Sequence, residues 1–197
     1  WSVNPDDKTK WTFKLRHGVQ FHDGSEFNAD AVVWNFDKVK NTEAPQYDSR
    51  QAALTAERIP SIIEVNKIDD YTVEIVTDTP TAFLPFQASY WMMSSPAQFE
   101  KVDNWEAFAQ NPSGTGPWKF VSMQPRKQIT LARNADYWDP DRVPVSDQVQ
   151  LIPTPEASSR TSALLSGQVD WIEAPSPDAI PQLKGAGMQI ITNSYPH

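Results

Sequence analysis

A mixed α/β fold is what this sequence predicts, and three observations predict it. Alternating apolar and polar runs separated by turn residues mark strands and hairpins, an amphipathic stripe opened by an N-cap residue marks a helix, and strand-like and helix-like segments alternate near the end. Hairpins plus helices come first, and a βαβ-like section follows over 147–192.

The first strand is Trp11–Arg16, where Trp11, Phe13 and Leu15 share one face. Gly18 interrupts the run, Val19 and Phe21 resume it, and His22-Asp23-Gly24-Ser25 makes a turn. Asn28 is the expected N-cap of a helix running to about Val39, with Asp30 in the first turn and Ala29, Val32, Val33, Phe36 and Val39 as its apolar stripe. From Asn41 to Arg58 the chain is polar and irregularly patterned. Ile62–Val65 and Tyr71–Thr77 form a hairpin. Short helical pieces punctuated by Pro80, Pro85 and Pro96 fill 81–109, and a second hairpin joins Trp118–Met123 to Ile129–Arg133. Val149–Ile152, Val169–Ile172 and Met188–Ile191 are expected strands, alternating with a helix over Glu156–Ser166 that stops at Gly167 and another opened by Ser176-Pro177-Asp178.

Composition narrows the function classes. Seventeen basic against twenty-five acidic residues give a net charge of -8, which argues against nucleic acid as a partner, because such binders concentrate Lys and Arg. The absence of cysteine removes disulfides, thiolate metal sites and cysteine nucleophiles. The longest apolar runs have four residues, such as Ala31–Trp34, far from the ~20 that cross a bilayer. Seventeen prolines, eight tryptophans and only seven glycines point to many short elements joined by stiff corners, with large aromatic side chains in a core or a site.

Catalytic and metal constellations are weak. The offset of five would put His17 and His22 on opposite faces of a continuous strand, and Gly18 and the following turn are no stiff metal scaffold. His22-Asp23 hints at a hydrolytic dyad but lacks a nucleophile elbow. Gly114-Thr115-Gly116 is too short for a phosphate loop. No catalytic residue, metal or cofactor is assigned. Aromatics say more. Trp11, Trp34, Trp118 and Trp171 fall in regular patterns and are expected in the core. Tyr47, Tyr90 and Trp91 fall in loops without a pattern that buries them, as ligand contacts or as packing anchors. Arg50, near Tyr47, is either a partner for a ligand carboxylate or a solvated surface charge.

The run Trp11-Thr12-Phe13-Lys14-Leu15-Arg16-His17-Gly18-Val19-Gln20-Phe21-His22-Asp23-Gly24 closely resembles the signature of the family 5 extracytoplasmic solute-binding proteins, the peptide, dipeptide and nickel receptors of bacterial ABC importers. Phe27, Ala29, Asp30, Val32 and Phe36 extend the match. It returns at Gly114–Phe120, at Arg133-Asn134 with Tyr137-Trp138, at Arg160 with Ala163-Leu164, and at Ser166–Asp170. Trp118 stands where tyrosine or phenylalanine is common, and Gln168 where glutamate is usual.

The resemblance implies one partial lobe of a type II periplasmic-binding-protein clamshell. Residues 1–110 would form a subdomain of the N-terminal lobe and 111–197 the central portion of its main sheet, the second lobe being absent. It further implies a non-enzymatic protein of the periplasm, or anchored outside the membrane, that captures a peptide or other small polar solute and hands it to an ABC permease. Position in the family pattern makes Tyr47 the first expected ligand contact, and aromatic character alone puts Tyr90 and Trp91 second. Two other classes stay open: an aromatic-rich module binding, for example, carbohydrate, and a small hydrolase using His22 and Asp23.

Overall fold

The computed structural model describes residues 1–192 of the chain. It separates into two compact units, one built from Trp1–Met123 with Ile129–Gln150 and the other from 124–128 with residues from Leu151 onward.

The first unit is organised on a four-stranded antiparallel sheet in the order β1-β2-β4-β3, with β1 at Ser2–Val3, β2 at Lys10–Lys14, β3 at Ile62–Asp69 and β4 at Thr72–Thr77. Trp11 pairs with Ile75 and Phe13 with Val73, so the alternation read from the sequence sets the register. A one-residue slip would turn these side chains to the opposite face. Helix α1, Ala29–Lys40, lies against β3 and β4. Asn28 caps it by accepting the Ala31 N–H at 3.1 Å, Asp30 sits at its positive end, and Lys38 and Lys40 lie in its last turn. Its stripe of Ala29, Val32 and Phe36 meets Trp11, Ile62, Val65, Val73 and Ile75 in one core cluster. Each large side chain so buried contributes on the order of 1.5–3 kcal/mol.

Helix α2, Ser49–Arg58, occupies the stretch that the sequence pattern leaves irregular. It buries none of its residues, so no apolar periodicity announces it. Its signal is at the cap instead. Asp48 accepts the Arg50 and Gln51 N–H groups, and the Gln51 side chain donates back to its carboxylate at 3.1 Å.

Three short helices follow, α3 at Leu84–Ala88, α4 at Pro96–Val102 and α5 at Trp105–Gln110. Between α3 and α4, residues 91–95 run without regular structure. Strands β5 (Trp118–Gln124), β6 (Gln128–Arg133) and β7 (Gln148–Leu151) form a three-stranded sheet in that order.

In the second unit, α6 spans Ala157–Leu165 and α7 spans Ile180–Gly185. Gly167 ends α6 at φ 72°, with its own N–H on the Leu164 carbonyl and the Gln168 N–H on the Ala163 carbonyl. That double bond pattern closes a helix and favours glycine. Arg160 gathers four main-chain carbonyls, those of Thr154, Pro155, Glu173 and Ala174, at 2.6–3.1 Å.

Two sequence expectations need correction here. Val169–Ile172 and Met188–Ile191 belong to no strand among the described residues. A strand exists only through pairing, and the Val169 N–H turns back to the Ala163 carbonyl instead. Trp171, expected in the core, is 63% exposed for the same reason: no sheet face receives it. Trp11 is buried as expected, while Trp34 and Trp118 are half-buried.

The register of β3 gives a sharp test. Ile62 is fully buried and its neighbour Ile63 is 56% exposed. In urea unfolding, Ile62→Ala is expected to lower stability by about 2–5 kcal/mol and Ile63→Ala by no more than about 0.5 kcal/mol. Equal losses would refute the register.

Candidate functional site

Three pieces of the first unit meet beside the C-terminal half of α1. They are the turn Ala44–Asp48, helix α2, and the segment after α3. The end of α1, helix α2 and the segment after α3 line a groove of about 280 Å³ whose walls include Lys38, Gln51, Leu54, Arg58, Tyr90 and Trp91, while the turn Ala44–Asp48 stays outside its wall.

Tyr90 is 55% exposed, and the Arg58 guanidinium lies over its ring at 5.2 Å from the centroid. This contact joins the last turn of α2 to the rim and presents a flat aromatic face and a cation side by side. Trp91 behaves differently. It is only 7% exposed, meets Phe36 edge-on at 6.2 Å, and its indole N–H is buried without a hydrogen-bond partner. It therefore serves the core with most of its surface and the groove with a margin. Tyr47 is half-buried in the turn that leads into α2, its N–H donating to the Ala44 carbonyl, and it is not part of the groove wall. Arg50 is exposed on the first turn of α2.

What the sequence reading missed is Lys38. In the last turn of a helix a lysine reads as a solvated partner for the helix dipole. Here it is 1% exposed. Its Nζ donates to Asn35 Oδ1 at 2.9 Å, Ser94 Oγ at 3.1 Å and the Met92 carbonyl at 3.4 Å, and it lies 5.6 Å from the centre of the Trp105 ring. Burial pulls its pKa down from 10.5 to about 8, against the opposing pull of the Asp48 carboxylate. For Asp48, burial acts to raise the pKa, but the hydrogen bonds from Gln51 and Arg50 outweigh it and hold the carboxyl below its usual 3.8.

The chemical candidates resolve into structure. His22 Nε2 lies 2.9 Å from the Gly116 carbonyl, the His22 N–H donates to the Gly114 carbonyl, and the Asp23 N–H to Ser113 Oγ. Asn134 joins this network, its Nδ2 donating to the same Gly116 carbonyl at 3.2 Å. The Asp23 carboxylate accepts from Ser25. Turn 22–25, loop 113–117 and Asn134 are thus stitched together, and the His22–Asp23 pair is occupied with that stitching. Among the described residues no group of three or more His, Asp or Glu side chains is placed to hold a metal ion, and no helix is long and apolar enough to cross a membrane. The second unit carries its own groove of about 220 Å³, mostly apolar, beside Leu164, Trp171 and Leu183.

The architecture is that of part of a two-lobed periplasmic solute-binding protein. It superposes on the crystal structure of a dipeptide binding protein from Pseudoalteromonas sp. SM9913 with a TM-score of 0.81 at 24% identity, over 93% of this chain and 39% of that one. It likewise matches the ABC transporter-associated periplasmic binding protein DppA from Helicobacter pylori, solved with the peptide STSA, with a TM-score of 0.76 at 27% identity over 94% of this chain and 38% of that one. In sequence it is 33% identical over 201 residues to the dipeptide-binding protein of Escherichia coli (strain K12), covering 93% of this chain and 37% of the relative. Residues 1–196 match the model of the bacterial extracellular solute-binding proteins, family 5 Middle. The chain belongs to this family. It spans less than two-fifths of the length of these relatives, which are solute-binding proteins rather than enzymes.

The buried lysine has a consequence for stability. Folding lowers the Lys38 pKa, so between about 8 and 10.5 the unfolded chain holds a proton that the folded chain has released. Stability therefore rises with pH across that window, and the penalty for burying the charge is fully present below it. The stability difference between wild type and Lys38→Met, followed by urea unfolding, is expected to shift in favour of wild type from pH 8 to 10.5. A difference that stays flat would contradict the burial.

Proposed function

We propose that the chain is part of the extracytoplasmic substrate-binding component of an ABC importer, which captures a peptide or another small polar solute and delivers it to a membrane permease. Its place of work is the periplasm or the outer face of the membrane. Capture in such a protein follows from closure: a solute that touches both lobes only when they are shut stabilises the shut state by its extra contacts.

The observation that carries this reading is the exposed Tyr90 ring beside the Arg58 cation at an open groove, in a chain 33% identical to a dipeptide-binding protein. An aromatic face offers contact area at low entropic cost, and a neighbouring guanidinium suits a carboxylate. Tyr47 is the second contact, on a turn held rigidly at the entry to α2. Trp91 acts mainly as the anchor beneath Tyr90.

Calorimetry of the complete gene product with dipeptides tests the assignment. Tyr47→Ala and Tyr90→Ala are each expected to weaken binding about tenfold, the equivalent of about 1.4 kcal/mol. Unchanged affinity in both variants would remove these residues from the site. Mass spectrometry of the solute retained on purification tests the class: a peptide is expected, a retained sugar would replace the peptide by another small polar solute, and a retained lipid would overturn the reading.

A further inference from the structure

We propose that Lys38, together with Asn35, is the positioning residue that ties the two candidate ligand loops to one turn of α1, so that Tyr47 and Tyr90 hold a fixed relation without Lys38 touching solute. This rests on the reading of those tyrosines as ligand contacts.

The geometry runs in both directions from one residue. Through its main chain, Lys38 accepts the Asp48 N–H at 3.0 Å, fixing the residue next to Tyr47. The same turn is braced a second time, because the Trp105 indole donates to the Gln46 carbonyl at 2.9 Å and that indole lies beneath the Lys38 ammonium. Through its side chain, Lys38 reaches the other loop at Met92 and Ser94. Asn35 completes the hold as a strand neighbour would: its Oδ1 accepts the Ser94 N–H at 2.8 Å and its Nδ2 donates to the Ser94 carbonyl at 2.9 Å, while also donating to the Ala31 carbonyl of its own helix. Residues 91–95 have no strand or helix to fix them. Side chains of α1 hold them at Met92 and Ser94 instead, one and three residues beyond the Tyr90–Trp91 pair, and the Ser95 N–H donates to the Ser113 carbonyl.

The clamp needs an ammonium. A protonated lysine has three N–H donors for three acceptors, and a neutral amine has two. On deprotonation one acceptor loses its donor, and the Met92 carbonyl, at the longest distance, is the one released. The charged and titratable groups around Lys38 are Asp48 at the start of α2, Arg58 at its end and Tyr90 across the groove.

The test uses the complete gene product labelled with ¹⁵N. The Trp91 and Trp105 indole N–H signals, assigned by Trp→Phe variants, report on the two loops separately, and the dipeptide Ala-Phe serves as the binding probe. The two signals are expected to move together with one midpoint near 8 in wild type. In Lys38→Met they should be displaced and flat with pH, with probe affinity about tenfold weaker. Lys38→Arg, which stays charged, should restore affinity and remain flat. If Lys38→Met leaves both signals and the affinity unchanged, or if only one signal follows pH in wild type, the coupling is wrong. If the wild type shows the shared titration but binds no dipeptide, the clamp stands and the peptide reading fails.

Discussion

An ammonium group withdrawn from water is costly unless every N–H finds an acceptor. Lys38 offsets that cost with neutral partners alone, Asn35, Met92 and Ser94, and has no carboxylate within ion-pair distance among the described residues. The arrangement works because α1 has two different faces. One presents Ala29, Val32 and Phe36 to the sheet and supplies the bulk of the burial energy. The other presents Asn35 and Lys38 to chain that has no ladder of its own. The sheet fixes the helix, the helix fixes the loops, and the groove lies between α2 and the Tyr90–Met92 segment beside the helix.

The same device recurs at two other places in this proline-rich chain. Backbone groups outside helices and strands still require partners, and here polar side chains provide them. Arg160, on α6, holds four carbonyls, two in the irregular chain that enters the helix and two in the irregular chain after it. His22 and Asn134 converge on the Gly116 carbonyl and join three separated segments. These are residues from the blocks that carry the family resemblance. Their roles are internal, which explains why those blocks speak clearly of architecture and only faintly of the solute.

Much of the fold was legible because burial writes a period into sequence. Asn28 and the stripe after it place α1 within a residue of its observed ends, and the alternations at Trp11, Ile62 and Tyr71 locate the main sheet. Where burial is absent the period is absent too. Helix α2 buries nothing and shows itself only through Asp48 and Gln51 at its cap. The segments at 169–172 and 188–191 have strand-like composition, yet pairing is a property of neighbours, which no local pattern contains. Of the site, the loop aromatics were visible as residues without a core to enter, although Trp91 proved to have one. Lys38 was invisible, because a lysine near a helix end reads the same whether water or Ser94 receives its protons.

The central claim is that α1 side chains do for residues 92–94 what a neighbouring strand would do. Amide hydrogen exchange at Ser94 in the complete gene product measures this directly. Its N–H lies in irregular chain but donates to Asn35 Oδ1 at 2.8 Å, so its exchange should be as slow as that of amides in the middle of α1, and should open in the same step as the Asp48 N–H held by the Lys38 carbonyl. Exchange at Ser94 at the rate of unprotected chain, with α1 still protected, would contradict the account.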